Sequence, residues 1–274
     1  MKSFNLPFNP FPHRISYRTS FKEKFLFILL FFFLYLTSSA FTNTDKNDKG
    51  SFIKSITGKA SELESKGSFY AAIKIYDKAI KAHPEYPEIY YRRGIAKLMI
   101  EDLAGAMLDL NKAIELNPDY AEAYNKRGLV RWDLMDYENA LRDNTKSIEL
   151  NAENPEAYYN RGLTNYKLNN LLGSFQDFEK AIKLDPDYSH AYLKRGYLNQ
   201  RMGKLKEALS DFTKAISINP EDPMAYQQRA KYYLFVNEKQ KAYDDLNTAL
   251  ELGYVQQYGN EVKKLLTQLK SEVK

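Results

Sequence analysis

The chain has 274 residues, with 40 Lys and Arg against 35 Asp and Glu, a formal net charge of +5, and no cysteine. No disulfide, thiol nucleophile, thiolate metal site or cysteine-linked lipid anchor is therefore possible. Residues 1–40 hold five basic residues (Lys2, Arg14, Arg18, Lys22, Lys24) against Glu23, which leaves the remainder 35 basic against 34 acidic and removes the main support for general attraction to nucleic acid.

Taken in order, residues 1–24 form a basic N-terminal region. Phe25 to Leu36 are twelve apolar residues without a charge, and Thr37, Ser38, Ser39 and Ala40 come next. A basic region, a short apolar core and small residues three and one places before a cut after Ala40 are the layout of a secretory signal, so 25–40 is expected to be a signal core. Extended to Thr42 the segment counts eighteen residues, which keeps an uncleaved membrane anchor open. Positive charge stays on the cytoplasmic side. Both readings therefore place the C-terminal remainder of the chain outside: exported to the periplasm or secreted, or tethered through 25–42. Residues 41–52, polar from Thr42 to Lys49, are expected to be a linker.

From Ile53 a pattern of two helical stretches recurs every 34 residues without insertion, in six copies: 53–86, 87–120, 121–154, 155–188, 189–222 and 223–256. The positions of each copy are numbered 1 to 34. Position 8 is Ala60, Gly94, Gly128, Gly162, Gly196 and Ala230. Position 20 is Ala72, Ala106, Ala140, Ser174, Ala208 and Ala242, and position 27 is Ala79, Ala113, Ser147, Ala181, Ala215 and Ala249. Small residues let two helix axes approach, so these are the expected crossing points of the first helix (A) and the second (B) of each repeat. Position 4 is Ile56 and then tyrosine five times, from Tyr90 to Tyr226. Pro84, Pro118, Pro186 and Pro220 end the B helices; in repeat 3 Ala152 stands there, and Pro155 is expected to supply a slightly later stop. Residues 257–274 carry an apolar stripe (Val262, Leu265, Leu266, Leu269, Val273) and read as a helix capping the array.

An aromatic at 4, small residues at 8, 20 and 27 and a proline at 32 resemble the tetratricopeptide repeat (TPR) family. The resemblance covers about four fifths of the chain. It implies an all-α right-handed superhelical solenoid of helix-turn-helix repeats closed by the C-terminal helix. It also implies that helix A lines a concave, partner-binding groove. Carried onto this sequence, the groove is expected at Tyr91, Arg92, Ile95 and Leu98 of repeat 2 and at Lys126, Leu129 and Trp132 of repeat 3. Repeat 4 is expected to add Tyr159, Asn160, Leu163 and Tyr166, and repeat 5 Lys194 and Tyr197. The carboxylate clamp of the family's chaperone-tail subgroup is matched only in fragments around Asn160, so that specificity is not carried over.

One departure from the family is regular. Position 7, often leucine, is arginine in repeats 2 to 6, and position 23 is aspartate in the same five repeats. Arg93 with Asp109, Arg127 with Asp143, Arg161 with Asp177, Arg195 with Asp211 and Arg229 with Asp245 are expected to pair between helices A and B, because pairing within a repeat leaves no charge alone. Asn144 at position 24 is a polar residue where the other repeats are apolar, and would need hydrogen-bond partners if buried.

His13, His83 and His190 are too scattered in sequence for a metal site, and no glycine-rich phosphate loop occurs. The expectation is a non-enzymatic, cofactor-free scaffold holding a segment or helix of a protein partner, with a role in an envelope or membrane complex. Alternatives are an RNA-binding repeat array or a non-catalytic regulatory subunit of an envelope enzyme; self-association through the array ends is also open.

Overall fold

The computed structural model describes residues 51–253 and, in the C-terminal segment, Lys263, Leu266, Thr267, Leu269 and Lys270. The basic region, the segment at 25–40 and most of the linker lie outside the described residues, as does most of 257–274. The chain divides into two units, 1–55 and 56–274. Of the first, residues 51–55 are described and helical; Ser51 and Phe52 are thus helix where the linker was expected to run on. The second unit carries the repeats.

Its helices are α1 (56–65), α2 (Phe69–Ala82), α3 (Pro87–Leu98), α4 (Leu103–Leu116), α5 (Ala121–Asp133), α6 (Tyr137–Leu150), α7 (Pro155–Lys167), α8 (Leu171–Leu184), α9 (Ser189–Arg201), α10 (Leu205–Ile218), α11 (Pro223–Phe235) and α12 (Lys239–Glu251). Odd numbers are A helices and even numbers B helices. No strand occurs among the described residues. Each helix packs on the next, and A helices also touch in succession (α3 with α5, α5 with α7, α9 with α11), whereas no B helix has comparable contact with the next B helix. Helices that sit closer along one side of a stack curve it toward that side, so the A helices form the inner face of a right-handed superhelical solenoid.

Local chemistry sets the helix ends. Pro87, Pro155 and Pro223 open A helices at the first turn, where the missing N–H has no intrahelical partner in any case. Each A helix from repeat 2 onward closes with a bond from the N–H of position 16 to the carbonyl of position 11, as from Asp102 to Lys97 at 2.9 Å and from Asp136 to Arg131 at 2.8 Å. That closure needs a left-handed residue at position 15. Gly203 supplies it freely, but Glu101 and Met135 adopt φ of 61° there, at a cost of about 1 kcal/mol each. The B helix of repeat 3 corrects the expectation of a later stop. It ends at Leu150, in register with Leu116 and Leu184, although no proline stands at position 32. The stop lies in Asn151, whose Oδ1 accepts from the N–H of Glu153 at 3.1 Å; Asn117 and Asn219 do the same in their repeats.

All the residues at positions 8, 20 and 27 are buried. A Cβ placed on Gly162 would lie 2.7 Å from Phe178 Cε1, and one on Gly196 would lie 2.8 Å from Phe212 Cε1. The glycine at 8 therefore makes room for the ring at 24. At the C-terminal end, Leu266 and Leu269 join Ala230, Ala242, Leu246 and Ala249 in one buried cluster, which covers the last repeat's apolar face.

The arginine at 7 reaches the aspartate at 23 in each of repeats 2 to 6, with N–O distances of 2.5–3.1 Å. The aspartates are buried, and each guanidinium also lies 5.3–5.8 Å over the tyrosine ring at position 4. Position 11 gives the aspartate a second donor that sequence reasoning missed: Lys97, Arg131, Asn165 and Asn199, at 2.7–2.9 Å. Pairing is not confined within repeats. Arg93 also binds Asp77 of α2 at 2.6 Å, and Arg127 binds Asn111 of α4 at 2.8 Å.

The seam between repeats 3 and 4 is polar. Asn144 on α6 is buried, its Nδ2 only 3.5 Å from Thr164 Oγ1, and its Oδ1 accepts no hydrogen bond; Ser147 Oγ beside it has no partner either. Asn160 Nδ2 donates to Asn125 Oδ1 at 2.8 Å across the same seam.

Arg161→Ala is expected to lower the unfolding free energy by about 3 kcal/mol, because it leaves a buried Asp177 with Asn165 as its remaining donor. Breaking the exposed Lys112–Glu115 pair should cost under about 1 kcal/mol. Urea denaturation compares them, and equal effects would contradict the burial argument. Asn144→Leu is expected to stabilise the chain by about 1–3 kcal/mol, since it removes an unsatisfied carbonyl and places leucine where Leu110 already fits against Gly94. An unchanged or lower denaturation midpoint would be the contrary result.

Candidate functional site

On the inner face, α5, α7, α9 and α11 enclose a cavity of about 380 Å³, within the size range of pockets that bury a ligand. Trp132, Tyr159, Tyr166 and Tyr197 provide aromatic walls. Leu163, Leu193, Leu198 and Met224 make the apolar floor, with Phe178 of α8 showing between the A helices. Lys167, Lys194 and Gln228 complete the lining.

The aromatic residues are held in a chain of contacts. Tyr159 lies 5.0 Å from the ring of Tyr188 and 5.7 Å from that of Phe178. Trp132 meets Tyr137 edge-on at 6.1 Å and carries Lys167 Nζ 5.5 Å above its ring. The Tyr166 and Tyr197 phenol oxygens share a hydrogen bond of 3.4 Å, and Arg201 Nη1 donates to Tyr166 at 3.0 Å. The hydrogen bond with Tyr197, helped by Arg201 and Lys167, lowers the Tyr166 phenol below its usual range. Burial instead pushes Tyr159 up to about 12. Burial lowers the Lys194 ammonium, and Asp222 opposes that shift only in part.

Of the residues expected in the groove, Trp132, Tyr159, Leu163, Tyr166, Lys194 and Tyr197 converge on this cavity. The others do not line it. Tyr91 and Leu98 pack against the buried cluster around Leu110 and Val130, and Tyr91 stacks on Tyr120 at 4.9 Å. Arg92 Nε binds Glu88 at 2.5 Å, and Lys126 binds Glu156 at 2.5 Å. Asn160 is committed to Asn125. Ile95 and Leu129 are half-buried away from the cavity. Lys167, Met224 and Gln228 were legible as positions 13, 2 and 6 of the helix A register. Phe178 was not, because it belongs to a B helix and is visible only past the glycine at position 8. Among the described residues no group of His, Asp and Glu could hold a metal ion, and no helix is long and apolar enough to cross a membrane.

An array of two-helix units with an aromatic and basic cavity on its inner face defines a helical-repeat interaction scaffold. Family profiles described as TPR repeat match residues 101–134, and profiles described as tetratricopeptide repeat match 155–188 and 189–222. The chain carries tetratricopeptide repeats across residues 101–222. The first match runs from helix B of repeat 2 through helix A of repeat 3; the other two coincide with repeats 4 and 5. No curated protein matches the sequence. Among solved structures, MamA is 27% identical with a TM-score of 0.52, over 60% of this chain and 95% of that one. A tetratricopeptide repeat protein from Parabacteroides merdae ATCC 43184 is 25% identical with a TM-score of 0.61, over 78% and 83%. YrrB, described as a TPR protein with an unusual peptide-binding site, is 23% identical with a TM-score of 0.53, over 72% and 97%, a likeness of fold.

Alkaline titration tests the electrostatics of the cavity. Tyr166→Phe is expected to remove tyrosinate absorbance that develops below the usual tyrosine range, and Tyr159→Phe to remove absorbance that develops only near pH 12. The opposite order would contradict the hydrogen bonding described.

Proposed function

We propose that this protein is a non-enzymatic scaffold that holds a segment or short helix of a partner protein against α5, α7, α9 and α11. The observation that carries the reading is the cavity itself. Elsewhere on the inner face the large residues are spent on packing or ion pairs, as with Tyr91, Arg92 and Lys126. Here Trp132, Tyr159 and Tyr166 surround open space. Tryptophan and tyrosine offer large, rigid contact area and an N–H or O–H to orient a ligand, which makes them common interface anchors. Trp132 is the only tryptophan of the chain, and it offers its ring rather than its N–H, which is buried without a protein acceptor among the described residues. The export layout of residues 25–40 supports action outside the cytoplasmic membrane, in assembling or maintaining an envelope complex.

Native co-purification from membrane and soluble fractions tests this. The wild type is compared with Trp132→Ala, Tyr159→Ala and Tyr166→Ala combined, and with Leu108→Ala and Leu172→Ala combined, which alter exposed B-helix residues. The expected result is a partner lost from the cavity variant alone, with circular dichroism unchanged in both. A partner kept by the cavity variant, or lost only from the B-helix variant, would move the site elsewhere.

A further inference from the structure

We infer that the occupant of this cavity is an acidic peptide: an apolar side chain seated on the leucine floor, with carboxylates of the same segment held by Lys194, Lys167 and Arg201. The inference rests on the proposed groove function and adds the partner's chemistry to it.

Charge complementarity selects the occupant. Inner-face cations at the N-terminal end of the array are already neutralised: Arg92 by Glu88 and Lys126 by Glu156, each at 2.5 Å. Those around the cavity are not. Lys194 makes no hydrogen bond or ion pair among the described residues, although it is half-buried and its charge is disfavoured by burial. Lys167 and Arg201 lie over the rings of Trp132 and Tyr166, and Arg201 spends one N–H on the Tyr166 phenol. Neither has a carboxylate partner among the described residues. The acidic influence on Lys194 comes from Asp222, without an ion pair, and Asp133 occupies on repeat 3 the register position held by Lys167 and Arg201.

A partly buried, uncompensated ammonium is unfavourable for the free protein. A carboxylate brought by a ligand relieves that cost, so the gain appears only in the complex. The apolar floor distinguishes a peptide from other polyanions. Leu163, Leu193 and Met224 offer nothing to a phosphate backbone, but they suit a leucine or phenylalanine side chain.

The test titrates the full-length protein with synthetic octapeptides, monitored by Trp132 fluorescence at low and high salt. Each peptide carries one central leucine, flanked by glutamates, glutamines or lysines; an oligouridylate of similar length is the polyanion without an apolar side chain. The acidic peptide is expected to bind at least roughly tenfold tighter than the glutamine peptide, with the advantage falling as salt rises. Lys194→Met and Arg201→Met should each remove most of that advantage, read as the ratio of the two peptides' affinities for the same variant. The thermal midpoint of Lys194→Met should equal or exceed that of the wild type, so a loss of binding there is not a loss of folding. Glutamine or lysine peptides binding as tightly as the acidic one, or no peptide binding at all, would overturn the inference. So would oligouridylate binding as tightly with the same dependence on Lys194. If the partner-capture experiment succeeds while the acidic peptide shows no advantage, the groove reading stands and the acidic occupant falls. If the cavity variant keeps its partner, both fall.

Discussion

Close approach of helix A to helix B is the constraint on which the rest depends. Small residues at positions 8, 20 and 27 bring the axes together, and the glycine at 8 receives the ring of Phe178 or Phe212 from the B helix. Only at that separation can an arginine at 7 grip an aspartate at 23 with two nitrogens while lying over the tyrosine at 4. The pair carries no net charge into the interior, and its fork geometry admits one arrangement of the two helices. Repetition of this unit from repeat 2 to repeat 6 lays the A helices side by side along one face.

The fold was legible because its signals are periodic. A residue that must be small for steric reasons recurs every 34 positions, and the matched arginines and aspartates recur with it. The site was legible only in part. The register of helix A identifies which residues face inward, but not which of them are consumed by neighbours. Arg92 and Lys126 look like free groove cations in the sequence, and become ion pairs once Glu88 on the same helix and Glu156 on the next A helix are placed. Asn160 looks like a ligand contact and is a buried bridge to Asn125. The losses of Lys126 and Asn160 depend on contacts between repeats, which a pattern within one repeat does not contain, whereas the Arg92–Glu88 pair is a four-residue spacing on one helix. The end of α6 has a local cause instead: an asparagine turn at Asn151 stops the helix where a proline stands in other repeats.

The two ends of the inner face thus differ in kind. Around repeat 2 and the start of repeat 3 the cations Arg92 and Lys126 are ion-paired and Tyr91 packs on Tyr120. Around repeats 4 and 5 the same register positions border open volume, with aromatic faces and cations left to the solvent. A binding surface of this sort is distinguished less by its composition than by the absence of internal partners for groups that elsewhere have them.

Uneven contact between successive repeats gives the array a mechanical character that its regular sequence conceals. In a linear stack, tension is carried in series, and the joint with the least cohesive contact yields first. Here that joint lies between α8 and α9, which touch least of the helices that join one described repeat to the next, and α7 and α9 meet less than the other neighbouring A helices around the cavity. Tyr166 stands on one side of it and Tyr197 on the other. A pull along the solenoid would therefore strain the walls of the cavity before it strained the caps, so that grip on an occupant and load on the chain are coupled by construction.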